Sequence, residues 1–154
     1  MKPRVSVADV SSNLDDTDFA IHLRMFDRNY VPLFDSQALQ GKFQTPRRHY
    51  AKQAWSDERV QGLLRAVKML CREPQSVYVF TDRYEHPIVE RIRSELSKDG
   101  YDLKEFRSQK PHGLEALEEL VALSMFRRMI LTSFSSFGHL AALIGENVET
   151  VVSV

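Results

Sequence analysis

Phe19-Ala-Ile-His-Leu-Arg-Met-Phe-Asp27 reads as a short buried strand that carries His22, Arg24 and Asp27 to its carboxyl end. A charged residue at the end of a central strand meets a ligand or an ion pair, because burying it alone is costly. Further on, Met129-Ile-Leu-Thr-Ser-Phe-Ser-Ser-Phe-Gly138 repeats the layout with hydroxyls in place of the guanidinium: an apolar strand, a Ser-rich turn, then a helix. An arginine and a hydroxyl-lined helix start are a common means by which an α/β sheet holds phosphate.

Around these two segments strand and helix alternate. Ser76-Val-Tyr-Val-Phe-Thr81 is rich in strand formers. Before it, Val60, Leu63, Leu64, Val67 and Leu70 recur at helical spacing, with Ser56 as N-cap and Asp57 and Glu58 in the first turn, which predicts a helix over 56–72. After it, Pro87 suits a first helical position, Ile88, Val89, Ile92 and Leu96 form an apolar stripe, and Gly100 supplies the stop. Residues 101–106 predict an edge strand interrupted by Asp102, Lys104 and Glu105. An amphipathic helix over 114–126 uses Leu114, Leu117, Leu120, Val121 and Ser124 at helical intervals. A strand over 129–133, a short helix over 137–144 ended by Gly145, and a fifth strand over 149–154 complete the pattern.

The alternation predicts a three-layer, Rossmann-like α/β domain: a mainly parallel five-stranded sheet with helices on both faces and right-handed crossovers. Strand order 3-2-1-4-5 sets the first and fourth strands side by side at the topological switch, where the crevice at their carboxyl ends receives ligands. Arg24 and the turn from Ser133 to Ser136 both face that crevice in this order. Residues 1–18 are polar and without clear period, a solvated lead-in, and 19–154 form one domain. The segment 28–54 is long for a structureless connection and reads as a functional loop or as partly helical.

Composition bounds the function. Twenty-one basic residues balance twenty-one acidic ones in 154, so no global field draws the chain to nucleic acid or an anionic membrane, and any anion site is local. The single cysteine, Cys71, excludes an internal disulfide and a Cys-rich metal site, and its helical apolar position suits core packing. Neither a membrane-span length of apolar residues nor the apolar centre of a signal peptide is present, which predicts a soluble, cytoplasmic protein.

Each candidate residue also has a plainer role. Arg24 grips a diphosphate through its planar fork of donors, or pairs with Asp27. His22, on the same strand face, donates to a base or phosphate, or is a core histidine. Ser135 and Ser136 converge with free helix N–H groups on a phosphate, or form an ordinary N-cap. Thr81 and Asp82 end the second strand beside Arg24; Asp82 positions His22 or Arg24, contacts a sugar hydroxyl, or caps the next helix. Asp16-Thr-Asp18 has the spelling of a metal-holding Asp-x-Asp, but it precedes the first strand and so belongs at the sheet's other end, as a solvated acidic turn. Arg47-Arg48-His49 and Arg127-Arg128 read as solvated basic clusters, and no Gly-rich phosphate loop, zinc spacing or nucleophile elbow occurs.

Taken together, His22-x-Arg24-x-x-Asp27, Val77-Tyr-Val-Phe-Thr-Asp82 and the run from Leu123-Ser to Ser133-Phe-Ser-Ser136 resemble the donor-binding half of inverting fucosyltransferases. The alpha-1,2-, alpha-1,6- and protein O-fucosyltransferases and the bacterial nodulation enzyme share this pattern. The resemblance implies GDP-fucose as donor, no metal or other cofactor, and the second Rossmann-like domain of a GT-B architecture. It implies that His22 and Arg24 contact the nucleotide and its diphosphate, with Arg24 as the catalytic group. It further implies that Ser133, Ser135 and Ser136 belong to the phosphate turn, and that Glu119, within one residue of the place where the family usually has an aspartate, recognises guanine. Thr81-Asp82-Arg83 stands where the alpha-1,6 type has Thr-Asp-Asp and lacks its second carboxylate; the resemblance makes Asp82 a donor-site residue, with Thr81 and Asp27 in supporting roles. The family's acceptor domain has no counterpart in 1–18, so the resemblance leaves two outcomes. One is fucosyl transfer completed by an acceptor-domain protein or a homo-oligomer that supplies the acceptor-side base, with His49 and Asp27 the residues of this chain worth mutating in that connection. The other is a non-catalytic module that binds a nucleotide sugar or another phosphorylated ligand and works through a partner.

Overall fold

The computed structural model describes residues 19–25, 55–108, 110, 114–133 and 135–154. The lead-in 1–18, Asp27, the Arg47-Arg48-His49 cluster and the remainder of 28–54 lie outside the described residues.

Among the described residues five strands alternate with four helices: β1 (Phe19–Leu23), α1 (Asp57–Leu70), β2 (Ser76–Thr81), α2 (Pro87–Lys98), β3 (Asp102–Glu105), α3 (Glu115–Ser124), β4 (Arg128–Leu131), α4 (Ser136–Ile144) and β5 (Thr150–Ser153). The sheet is parallel throughout, in the order β3-β2-β1-β4-β5. β1 is central, and all five of its residues are buried.

Because side chains alternate across a strand, β1 feeds two cores. Phe19, Ile21 and Leu23 join Val60, Leu63 and Val67 of α1 and Val89, Ile92 and Leu96 of α2 on one face. On the other, Ala20, Tyr78 and Phe80 meet Phe106, Phe126, Leu123 of α3 and Ala141 of α4, with the Phe80 and Phe106 rings stacked 4.9 Å apart. Helices therefore cover both faces, as right-handed crossovers that reverse direction at β1 require.

Local chemistry sets the boundaries. Ser56 caps α1 by accepting from the Arg59 N–H at 3.2 Å, and Pro87 opens α2 with the His86 ring nitrogen accepting from Ile88 N–H at 3.2 Å. Gly100, at φ +85°, turns the chain from α2 into β3 where an L side chain would be strained. The sequence predicts β1 through Arg24, but the strand stops at Leu23 because the Arg24 N–H leaves the ladder for the Thr132 hydroxyl, 2.9 Å away. α4 begins at Ser136, one residue earlier than its periodicity suggested, with Ser135 as N-cap.

The largest departure concerns α3, which is shorter than 114–126 and buries Ala122 and Leu123. Leu114, Leu117 and Val121 of the expected stripe are exposed instead. Among the described residues no helix is long and apolar enough to cross a membrane.

Candidate functional site

The site is built where β1 and β4 end side by side. Thr132, the residue after β4, is fully buried, and its hydroxyl donates to the His22 carbonyl at 2.8 Å while accepting from the Arg24 N–H at 2.9 Å. The Thr132 N–H donates to the same carbonyl at 3.0 Å. Three hydrogen bonds thus fix the backbone from which the Arg24 side chain leaves. Trp55 secures it from the α1 side, donating from Nε1 to the Arg24 carbonyl at 3.0 Å. The Arg59 guanidinium lies 4.7 Å from the Trp55 ring, and its Nη2 reaches the Val154 carbonyl at 2.9 Å, so α1 begins at the carboxyl edge of the sheet.

From Thr132 the chain turns into α4. Ser135 is buried, donates its N–H to the Thr132 carbonyl at 3.2 Å and makes no side-chain cap bond. Ser136 is exposed at the first position of α4. Ser133 turns the other way: its hydroxyl is 3.0 Å from that of Ser153, on the β5 side. Beneath the first turn of α4 lies His22, stacked 5.4 Å from Phe137. A Cβ on Gly138 would come within 2.9 Å of His22 Nδ1, so only glycine lets the helix approach this closely. That nitrogen is buried and has no partner among the described residues. Burial first, then the Arg24 and His139 charges, lower the imidazole to about 4, so His22 is neutral at physiological pH.

Acids meet the site from β2 and α3. Asp82 Oδ2 lies 3.2 Å from Arg24 Nη1, and Oδ1 accepts from the Met25 N–H at 3.2 Å. Asp82 therefore holds Arg24, while capping of α2 falls to His86. Thr81 is buried and accepts from the Arg83 N–H at 3.3 Å, setting the turn that aims Asp82. Glu119 on α3 is half-buried, and its carboxyl is raised to about 7 by burial first, then by Glu115, Asp82 and Glu118.

No protein-family model and no curated protein matches this sequence. What the site can do must be read from its own chemistry. Arg24 supplies a cationic fork and α4 the positive end of a helix dipole, which together favour an anion. Asp82 and Glu119 add carboxyl oxygens that accept from hydroxyl or N–H groups.

Of the residues chosen from sequence, Arg24 and Asp82 are in direct contact, and Glu119 is coupled to Asp82 through charge. His22, Ser135 and Ser136 gather at the start of α4, whereas the Ser133 hydroxyl points to β5. Sequence reasoning missed Thr132, Trp55 and Gly138. Thr132 carried a signal, since it ends its strand as Thr81 does. Trp55 and Gly138 carried none, because their value lies in contacts with distant residues.

Proposed function

We propose that this domain binds a GDP-sugar, GDP-fucose before others, across the carboxyl ends of β1 and β4. The diphosphate lies against Arg24 and the first turn of α4, and the guanine N–H groups point toward Glu119. One observation carries this reading above the rest: the Thr132 hydroxyl ties the backbone at Arg24 directly to the strand that leads into α4. The resemblance of the His22-x-Arg24 and Ser135-Ser136 elements to inverting fucosyltransferases supplies the identity of the donor.

When an acceptor-side domain or partner completes the site, the reaction is inverting transfer. The acceptor hydroxyl oxygen attacks the anomeric carbon as its bond to the β-phosphate oxygen breaks, GDP departs with the electron pair, and the acceptor proton passes to a base on the completing protein. Arg24 and the α4 dipole stabilise the charge that grows on the departing diphosphate, more in the transition state than in the bound donor. This countercharge takes the place of a divalent ion. We set the domain in the cytoplasm, in keeping with its single cysteine, Cys71, which is buried in the core.

A second reading is a non-catalytic module that binds a nucleotide sugar or another phosphorylated ligand and acts through a partner. It is favoured by the state of the described acid–base groups: Asp82 is engaged by Arg24, and His22 is buried under α4. Incubation with GDP-fucose, with and without co-purifying proteins, separates the two. Release of fucose or its transfer to an acceptor supports the enzyme; saturable binding with the donor intact under every condition supports the module.

A further inference from the structure

The two helical layers differ in what they show to water. α1 and α2 turn Asp57, Glu58, Arg65, Lys68, Glu90 and Lys98 outward. α3 and α4 turn out Leu117, Val121, Leu140, Leu143 and Ile144, and Leu143 is 81% exposed. The two helices lie side by side with their carboxyl ends together: a Cβ on Gly145, just past α4, would come within 2.5 Å of the Ser124 carbonyl at the end of α3. The five side chains are therefore parts of one face. α4 carries no Asp, Glu, Lys or Arg at any of its nine positions.

We propose that this face is the interface of a homodimer, with a second copy of the chain packed across α4 about a two-fold axis. Size and charge both point to this occupant. The five side chains leave on the order of 500 Å² of apolar surface in water. A standard interface buries about 800 Å² on each partner, and in homodimers about two-thirds of that is apolar, so the face matches the apolar part of a stable dimer contact. A two-fold axis sets like against like, which is unfavourable for a charged helix and favourable for an uncharged one. With α4 at the centre, the acids of α3, Glu115 and Glu118, fall toward the rim. The balanced charge of the chain adds no net repulsion between copies. The crevice at the ends of β1 and β4 is a separate surface, so a dimer formed this way presents two such crevices, and the proposal is independent of their ligand.

Sedimentation equilibrium of the full chain tests this. The wild type is expected at the mass of two chains. Leu143→Glu is expected at the mass of one chain, with its far-ultraviolet circular dichroism unchanged because the side chain is outside the core, and with a dissociation constant raised about a hundredfold or more by burying an unpaired charge. Met69→Glu, on the exposed side of α1, is expected to leave two chains together. A wild type at the mass of one chain overturns the proposal, whether the face is then covered by the chain's own residues or by a different protein. So does a dimer that survives both Leu143→Glu and Leu140→Glu, or one that Met69→Glu dissociates equally.

Discussion

Asp82 holds Arg24 by two routes, through its guanidinium at 3.2 Å and through the N–H of the next residue, Met25, at 3.2 Å. One carboxylate at the end of β2 thus sets both the side chain and the backbone at the end of β1. A diphosphate ligand would meet a guanidinium already oriented, with less side-chain freedom to lose on binding.

Asp82→Asn, which removes the charge but keeps an oxygen to accept from the Met25 N–H, is accordingly expected to cost nucleotide affinity more than stability. The pair is about one-quarter to one-third exposed, so its loss should lower unfolding free energy by only about 1 kcal/mol or less. Affinity for GDP, measured by calorimetry, should fall about tenfold as the guanidinium loses its orientation. A large drop in stability with unchanged affinity would assign Asp82 to the fold alone.

Thr132→Val keeps the shape of the side chain and removes the hydroxyl that joins β1 to β4. The Arg24 N–H and one lone pair of the His22 carbonyl then lose their partner, which should cost about 1–3 kcal/mol in urea unfolding. Thr132→Ser keeps the hydroxyl and should recover most of that loss. Equal destabilisation by both variants would mean that the methyl group, rather than the hydrogen bonds, matters.

Gly138→Ala tests the contact between α4 and β1. Alanine favours a helix over glycine by about 1 kcal/mol, but the new methyl would meet His22 Nδ1 at 2.9 Å and Leu131 Cδ2 at 3.1 Å. Overpacking of this kind typically costs about 1–3 kcal/mol, so the variant should be less stable than wild type by thermal melting. In a His22→Ala background the substitution should become neutral or stabilising, and additive effects would contradict the contact.

The framework was legible from sequence because the stretches that build it obey one period each. β2 is a run of strand formers, α1 has a cap, acids in its first turn and one apolar stripe, and the alternation of the two points to a doubly wound parallel sheet, of which 3-2-1-4-5 is a common order and the one found. α3 defeated the same approach: it has apolar residues on two faces, and periodicity cannot say which face the sheet will take. In the structure the small Ala122 and Leu123 go inward, and Leu117 and Val121 stay in water. At the site, Arg24 was conspicuous because a cation at the end of a buried strand needs a partner. Its partner, Asp82, is 58 residues away in the chain, as 82 − 24 shows, and only the adjacency of β1 and β2 joins them.

Two titrations should shape stability against pH, with opposite signs. His22 falls from 6.5 to about 4 on folding, so its contribution is present above 6.5 and is lost as pH falls toward 4, up to about 3 kcal/mol for a group buried this deeply. Glu119 rises from 4.5 to about 7, so its contribution is present below 4.5 and is lost as pH rises through 7, by about 1–2 kcal/mol after discounting for its partial exposure. Urea unfolding between pH 4 and 8 should show Glu119→Gln more stable than wild type above pH 7 and equal to it near pH 4. His22→Leu should flatten the acid side. A wild-type-like profile in either variant would contradict the assignment.

To accept from both guanine N–H groups at once Glu119 must be ionised, because a protonated carboxyl turns one of its oxygens into a donor. GDP affinity should then rise about tenfold between pH 6 and pH 8, since the ionised fraction of a group titrating at about 7 changes by that factor. Glu119→Gln should abolish the rise.

Calorimetry of the wild type and Arg24→Ala with GDP, GDP-fucose, GDP-mannose and UDP bears most directly on the shared crevice at β1 and β4. Guanine-selective binding by the wild type, weakened at least about a hundredfold in Arg24→Ala, is the expected result. Absence of nucleotide binding by the wild type, or binding that Arg24→Ala leaves intact, would contradict it.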